Sequence, residues 1–271
     1  MPSDAERCVE IIRDRIGDAR IDVGLVLGLS LAAIADQVTQ TARIPYSDLP
    51  GFPQSDRMTS ELLIGAIGSA RIAVFRGRTN YYETGDINAM RVPLETLSRL
   101  GVKAVVLTGA AAAVRQDIQP GTMMTITDHI NLTGLNPLIG EAGDTGFVDM
   151  RGVYDRHLRE RFNLALAQLG RKAYDGELMW YPGPSFETPA EARVAQKLGA
   201  DVLSMTIVPE AILARRFDLR VLALTVVTNM TAGLRTEGIT REMRLRAGAV
   251  SAASVSRVLG KFFEIWQMRV V

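Results

Sequence analysis

Apolar positions along the chain follow two alternating periods. Short aliphatic and β-branched runs predict strands at 23–27, 71–75, 104–108, 122–127, 202–205 and 220–227. Longer segments with apolar residues at helical spacing predict helices at 4–15, 88–100, 154–169, 189–198, 209–217 and 240–266. Strands alternating with helices predict an α/β fold in which a mixed central sheet is flanked by helices on both faces.

Glycine and proline cluster between these elements, at 45–53, 134–152 and 182–184. Ligand sites in α/β proteins gather where strands end, so these segments are candidate active-site or interface loops. The sequence contains no internal repeat, low-complexity tract or interdomain linker. We therefore expect residues 1–271 to form a single domain.

Composition narrows the class of partner. Lys plus Arg number 31 against 30 for Asp plus Glu, so no basic excess indicates a nucleic-acid partner. Cys8 has no second cysteine with which to form an internal disulfide. Charges are spread through residues 1–17, and no apolar run approaches the roughly 20 residues that span a bilayer. These features predict a cytoplasmic protein that does not contact membranes.

The segment GPSFET at 183–188 carries the clearest chemistry. Phe186 offers a planar apolar face, and the carboxylate of Glu187 accepts hydrogen bonds from N–H groups. A flat ligand with N–H donors would fit such a loop. The alternative is a surface loop before a helix that Thr188 caps.

Ten short segments identify a family. In chain order they are VLGLSLA at 26–32, LPGFPQS at 49–55, 77–78 with 82–83, VVLTGAAA at 105–112, DHIN at 128–131, NPL at 136–138, 183–188, KLGAD at 197–201, VPE at 208–210 and VTNMTA at 227–232. With these segments the whole chain resembles the trimeric class of purine nucleoside phosphorylases. The resemblance implies the nucleoside phosphorylase fold and a pentosyltransferase of purine salvage. It also implies a homotrimer that needs no organic cofactor and takes inorganic phosphate as co-substrate.

The base-binding side of the family is retained. Glu187 and Asn229 match the family positions that hold the purine and serve catalysis, and Phe186 matches the position that stacks beside it. An amide that donates to N7 stabilises the departing purine anion more than the bound substrate. The pair favours 6-oxopurine nucleosides, inosine and guanosine. The alternative for Asn229 is an amide that caps the end of strand 220–228.

The ribose side is mixed. Tyr82 and Met205 match positions that line the sugar, although both also suit a plain core. Arg241 stands where the family carries a histidine, and a permanently charged guanidinium does not replace a neutral imidazole. Of the two histidines, neither matches a catalytic one, and we interpret His129 as structural.

Part of the family's phosphate site is retained. The resemblance assigns phosphate contacts to the Arg78 guanidinium, the Ala110 backbone N–H and the Thr206 hydroxyl. Ser30 lies one position away from the family's serine, and Asn80 occupies the position of a histidine that follows the arginine.

Other parts of that site have changed. Leu29 replaces the serine of the first turn, Gly109 replaces an asparagine, and the loop after Ser55 contains no histidine. Losing one preorganised donor to a transition-state oxyanion costs about 3–4 kcal/mol. We therefore expect a divergent phosphate site and impaired phosphorolysis.

Three functions stay open at this stage. The first is an impaired phosphorylase, the second a catalytically silent purine- or nucleoside-binding protein or subunit, and the third a nucleoside hydrolase or a transferase. The third lacks a visible general base if Glu83 orients Arg78. Two isolated histidines and one cysteine have no metal-ligand spacing, so we expect no metal.

Overall fold

The structure is a computed structural model that describes residues 1–28, 34–54, 59–141, 143, 146–234 and 241–267, with backbone alone at 40–41 and 241–251. Its strands are β1 (Val23–Val26), β2 (Thr39–Pro45), β3 (Glu61–Ile67), β4 (Ala70–Phe75), β5 (Ala104–Ala113), β6 (Met123–Ile130), β7 (Tyr174–Trp180), β8 (Val202–Ser204) and β9 (Arg220–Met230). Its helices are α1 (Asp4–Ile16), α2 (Tyr81–Thr84), α3 (Arg91–Arg99), α4 (Arg156–Gln168), α5 (Pro189–Lys197), α6 (Val208–Arg216) and α7 (Arg241–Glu264).

The described strands form one mixed sheet in the order β2-β3-β4-β1-β5-β8-β7-β6-β9. Strand β5 pairs with β8 on one side and with β9 on the other, so the last five strands of this order close on themselves. Strands β1, β4, β5 and β9 run parallel to their partners within this set, and their carboxyl ends therefore share one edge. A ligand site is expected at that edge.

Side chains alternate between two large cores on opposite faces of the sheet. In β4, Ile72 and Val74 point into one core, while Ala73 and Phe75 point into the other. Helices α1, α3 and α6 cover one core, and α4 and α7 cover the other. The predicted mixed sheet flanked by helices is confirmed.

All six predicted strands and all six predicted helices are present, with shifted ends. The prediction missed β2, β3, β7 and the four-residue α2. Strand β7 contains Gly176, which interrupts an apolar pattern but is needed because a Cβ there would lie 2.5 Å from the Met124 Cε. Strand β5 continues through the small residues 109–113 because β9 pairs with it along that length.

Within the described ranges, no helix is both long enough and apolar enough to cross a bilayer.

Candidate active site

The 183–188 loop turns inward over Met205. Gly183 has φ +66°, and a Cβ there would lie 2.5 Å from the Met205 Sδ, so both conformation and space require glycine. Thr188 caps α5 with a capping box that includes Glu191, as the surface-loop alternative predicted. The neighbouring Glu187 is nevertheless buried, with 8% of its surface exposed. The loop therefore caps a helix and also delivers a carboxylate to the interior.

One oxygen of Glu187 is held by the chain that follows β9. Its Oε1 accepts a hydrogen bond from the backbone N–H of Ala232 at 2.9 Å. A carboxylate oxygen accepts more than one hydrogen bond, so this contact orients Glu187 without using its capacity. Phe186, beside it, is exposed.

Asn229 lies close to that contact, near the end of β9. Its Oδ1 accepts from the Thr228 hydroxyl at 2.9 Å, and its Nδ2 donates to the Met230 carbonyl at 3.0 Å. Strand β9 runs through Asn229 to Met230, so the predicted end of this strand was too early. The two local bonds fix which way the amide faces and leave one Nδ2 hydrogen for a ligand.

A narrow cleft joins the ribose-side and phosphate-side candidates. Met205, Thr206 and Asn80 all line it. Tyr81 also lines the cleft, whereas Tyr82 reaches its wall through Asn80, whose Nδ2 donates to the Tyr82 hydroxyl at 3.1 Å.

Arg78 is almost fully buried behind this cleft, with 2% of its side chain exposed. Its Nη1 donates to the Thr108 carbonyl at 2.7 Å and its Nε donates to the Asn80 Oδ1 at 2.9 Å. The Glu210 Oε1 lies 2.8 Å from the same Nε. In the part of the chain that the structure describes, Nη2 has no hydrogen-bond partner.

This arrangement corrects the role assigned to Glu83. Glu83 accepts from the Asn80 Nδ2 at 2.8 Å, and Glu210 is the carboxylate paired with Arg78. The sequence analysis listed Glu210 within the VPE segment at 208–210 but missed its contact with Arg78, because α6 is remote from Arg78 along the chain. The available signal was an acidic residue in the first turn of a helix directly after Thr206.

The Thr206 hydroxyl is positioned by its neighbours on β8 and β5. It lies 3.0 Å from the Ser204 Oγ, which donates to the Ala110 carbonyl at 2.8 Å. A Cβ on Gly109 would lie 2.5 Å from the Thr206 Oγ1, so glycine there makes room for this hydroxyl. Ile207 follows with φ +79°, a rare conformation for a β-branched residue that concentrates at functional sites. Ala110 is exposed in the otherwise buried β5.

His129 lies on β6, where its Nδ1 is 3.0 Å from the Tyr154 hydroxyl. Burial lowers the pKa of His129, while Asp128 opposes that shift. Burial also raises the pKa of Tyr154, with further contributions from Asp128 and Glu210. The contact with a buried tyrosine agrees with a structural role for His129.

Several site predictions fall outside the described residues or side chains. Ser30 and Leu29 lie in 29–33, and residues 55–58 are likewise not described. Arg241 begins α7, but its side chain is not described. Among the residues that are described, no three His, Cys, Asp or Glu side chains are grouped to hold a metal ion.

Comparisons with known sequences show the family to which the chain belongs. The family model described as the phosphorylase superfamily matches residues 22–264. A purine nucleoside phosphorylase of Mycobacterium tuberculosis is 39% identical over 258 residues, covering 94% of this chain and 93% of the relative. Purine nucleoside phosphorylase 1 of Geobacillus stearothermophilus is 36% identical over 225 residues, covering 81% of this chain and 82% of the relative.

Solved structures give the same result. A Schistosoma purine nucleoside phosphorylase in complex with hypoxanthine superimposes with a TM-score of 0.90 at 26% identity, covering 98% of this chain and 97% of the other. The Schistosoma mansoni enzyme in complex with inosine gives a TM-score of 0.89 at 27% identity, covering 96% and 95%. With a family model that matches residues 22–264 and relatives that are 36% and 39% identical over the aligned residues, this chain belongs to the phosphorylase superfamily, among proteins named purine nucleoside phosphorylase.

Proposed function

We propose that this protein cleaves 6-oxopurine nucleosides, inosine and guanosine, with phosphate, releasing the free base and ribose 1-phosphate. The observation that carries the proposal is the buried Glu187 carboxylate, held by the Ala232 N–H three residues after Asn229. A buried carboxylate that keeps spare acceptor capacity suits the N–H groups of a 6-oxopurine. Solved relatives hold hypoxanthine, guanosine and inosine, which supports this substrate class.

The leaving group is stabilised by Asn229. Cleavage of the glycosidic bond places negative charge on the purine ring, and the remaining Nδ2 hydrogen of Asn229 donates to N7 as that charge develops. Because the amide is oriented beforehand by Thr228 and Met230, it does not have to reorganise during the reaction. Glu187 holds the opposite edge of the base, and Phe186 stacks on its face. Met205 and Tyr82 border the ribose.

Phosphate attacks from the side of Arg78, Thr206 and the Ala110 N–H, with Ser30 and Asn80 as further candidates. Turnover is slow because groups that hold phosphate in the family are replaced here by Leu29, Asn80 and Gly109. The resemblance further supports a cytoplasmic homotrimer without an organic cofactor, and it makes Arg241 a candidate for altered sugar selectivity.

Base release from inosine and guanosine, with and without phosphate and followed by chromatography, tests the proposal. We expect release that depends on phosphate. Purine binding without release in either condition would instead identify a silent binding protein, a candidate favoured by the balanced charge at Arg78. Release at equal rates without phosphate would identify a hydrolase.

A further inference from the structure

Asn80 uses both ends of its amide in side-chain hydrogen bonds. Its Oδ1 accepts from the Arg78 Nε at 2.9 Å. Its Nδ2 donates to the Glu83 Oε1 at 2.8 Å and to the Tyr82 hydroxyl at 3.1 Å. An amide nitrogen carries two hydrogens, and these two acceptors account for both of them. Within the described contacts, Asn80 therefore keeps no donor for phosphate, although it lines the cleft.

The place of Asn80 in the chain makes these contacts unusual. It is the N-cap residue of α2, where an asparagine side chain commonly accepts from a backbone N–H of the first helical turn. At this helix start the side chain makes no capping bond, and the Glu83 N–H is bonded to the Asn80 backbone carbonyl at 2.9 Å. The Asn80 side chain is turned toward other side chains and does not cap the helix.

The charges on either side of Asn80 fix the direction of its amide. A guanidinium only donates and a carboxylate only accepts, so the amide oxygen faces Arg78 and the amide nitrogen faces Glu83. A residue at position 80 must accept at one end and donate at the other to satisfy both neighbours. Through this amide, the position of the Glu83 carboxylate determines the position of Arg78.

Arg78 is held at two of its three nitrogens. Its Nε donates to Asn80, and its Nη1 donates to the Thr108 carbonyl at 2.7 Å, which together fix the plane of the guanidinium. The third nitrogen, Nη2, has no hydrogen-bond partner among the described residues. Binding of an oxyanion by a guanidinium depends on the direction of its N–H groups. The Asn80 contact therefore helps to set where the uncommitted N–H groups point.

We propose that Asn80 is a positioning residue and not a phosphate ligand: its amide orients Arg78 for phosphate and the Tyr82 hydroxyl for the ribose. The proposal rests on the proposed function, which assigns Arg78 to phosphate and Tyr82 to the sugar. It adds a physical link between these two sides of the site. The link depends on the amide that this chain carries at position 80, where the family has a histidine.

Asn80→Ala is the direct test, with phosphate, inosine and hypoxanthine affinities measured separately by calorimetry on the full chain. We expect phosphate and inosine each to bind about three- to tenfold more weakly, which is the usual effect of losing one hydrogen bond. Hypoxanthine, which has no sugar, should bind within about twofold of the parent. Loss of phosphate affinity alone would identify a phosphate ligand, and loss of all three affinities a purely structural residue. Either result overturns the proposal, as would three unchanged affinities.

Glu83→Ala tests the same link through a change of charge. Removal of a carboxylate near an anion site would, by charge alone, strengthen phosphate binding. The proposal expects weaker binding, because Asn80 loses the acceptor that orients its amide. Glu83→Ala combined with Asn80→Ala should bind phosphate no more weakly than Asn80→Ala alone, since both act through the same contact. Tighter phosphate binding in Glu83→Ala, or additive losses in the double variant, contradicts the proposal.

Asn88→Ala is the matched control. The Asn88 Oδ1 also accepts from an arginine Nε, that of Arg91 at 3.0 Å, but Arg91 is not assigned to phosphate. All three affinities should stay within about twofold, and a loss of phosphate affinity equal to that of Asn80→Ala would overturn the proposal. Absence of hypoxanthine binding in the parent would refute the proposed function, whereas the phosphate affinities of Asn80→Ala and Glu83→Ala would still decide the role of Asn80.

Discussion

The base-side candidates, Glu187 and Asn229, and the anion-side candidate Arg78 are all buried, but their hydrogen bonds use them differently. Glu187 and Asn229 are tied to nearby backbone and hydroxyl groups, which orient them and leave acceptor and donor capacity for a purine. Arg78 is tied to Asn80, Thr108 and Glu210, which use its Nε hydrogen and one of its two Nη1 hydrogens and balance its charge. Retaining a residue type therefore does not retain its function, since the partners of a buried side chain decide what it can still bind.

Arg78→Ala should have the largest effect on this contrast. It leaves the Glu210 carboxylate buried without a partner, so the free energy of unfolding should fall by about 3–5 kcal/mol. Phosphate-dependent turnover should disappear. Denaturant unfolding measures the loss, and Arg78→Ala combined with Glu210→Ala should recover part of it. A single variant as stable as the parent would contradict the buried ion pair.

Glu187→Ala should affect the opposite side. Losing hydrogen bonds to a charged acceptor should weaken hypoxanthine binding by roughly 1.5–3 kcal/mol, or about ten- to a hundredfold. Calorimetry measures the affinity, and Glu10→Ala, an exposed carboxylate on α1, is the control. Undiminished hypoxanthine affinity would exclude Glu187 from the base site.

Gly109→Ala should weaken the phosphate site and spare the base site, although it removes no charged group. The new Cβ would lie 2.5 Å from the Thr206 Oγ1 and would displace that hydroxyl. Overpacking of this kind typically costs about 1–3 kcal/mol of stability. Phosphate affinity should fall as well, while hypoxanthine affinity should be retained. Thr206→Val, which lacks the hydroxyl but adds no bulk at 109, should reproduce the effect on phosphate with a smaller loss of stability.

Mild acid should lower the stability of the fold through His129, which belongs to neither the base-side nor the anion-side candidates. Burial lowers the pKa of His129 below its ordinary value of 6.5, so the unfolded chain takes up a proton before the folded one does. The contribution of His129 to stability is complete above pH 6.5 and is lost as pH falls from there through the folded pKa. The free energy of unfolding, measured between pH 7 and 5, should lack this pH-dependent contribution in His129→Gln. A pH dependence of unfolding that is the same in His129→Gln as in the parent would contradict this contribution.

Much of the fold follows from local pattern, and its exceptions have identifiable causes. Strands β1 and β4 were predicted because apolar side chains fill both of their faces. Strand β7 was missed because Gly176 interrupts its apolar pattern. Glycine is needed there because Met124 and Asp201 lie close to it, a contact that exists only in the folded chain.

The candidate site likewise combines residues that the sequence predicted with contacts that only the structure shows. The resemblance supplied Glu187 and Asn229 as candidate base-binding residues, and their side chains prove to be buried. It included Glu210 in the VPE segment at 208–210 but gave it no partner, because no local pattern reports a contact between the start of α6 and Arg78. Pairing between distant segments is a property of the packed core.

Paired calorimetric titrations with hypoxanthine and with phosphate test the central claim most directly, performed side by side on this protein and on the Mycobacterium tuberculosis relative. We expect hypoxanthine affinities within about tenfold of each other, since the base-side groups are oriented and available. Phosphate should bind this protein more weakly than it binds the relative, because Leu29 and Asn80 stand where the family has groups that hold phosphate. Equal phosphate affinities in the two proteins, with hypoxanthine binding retained, would contradict the account.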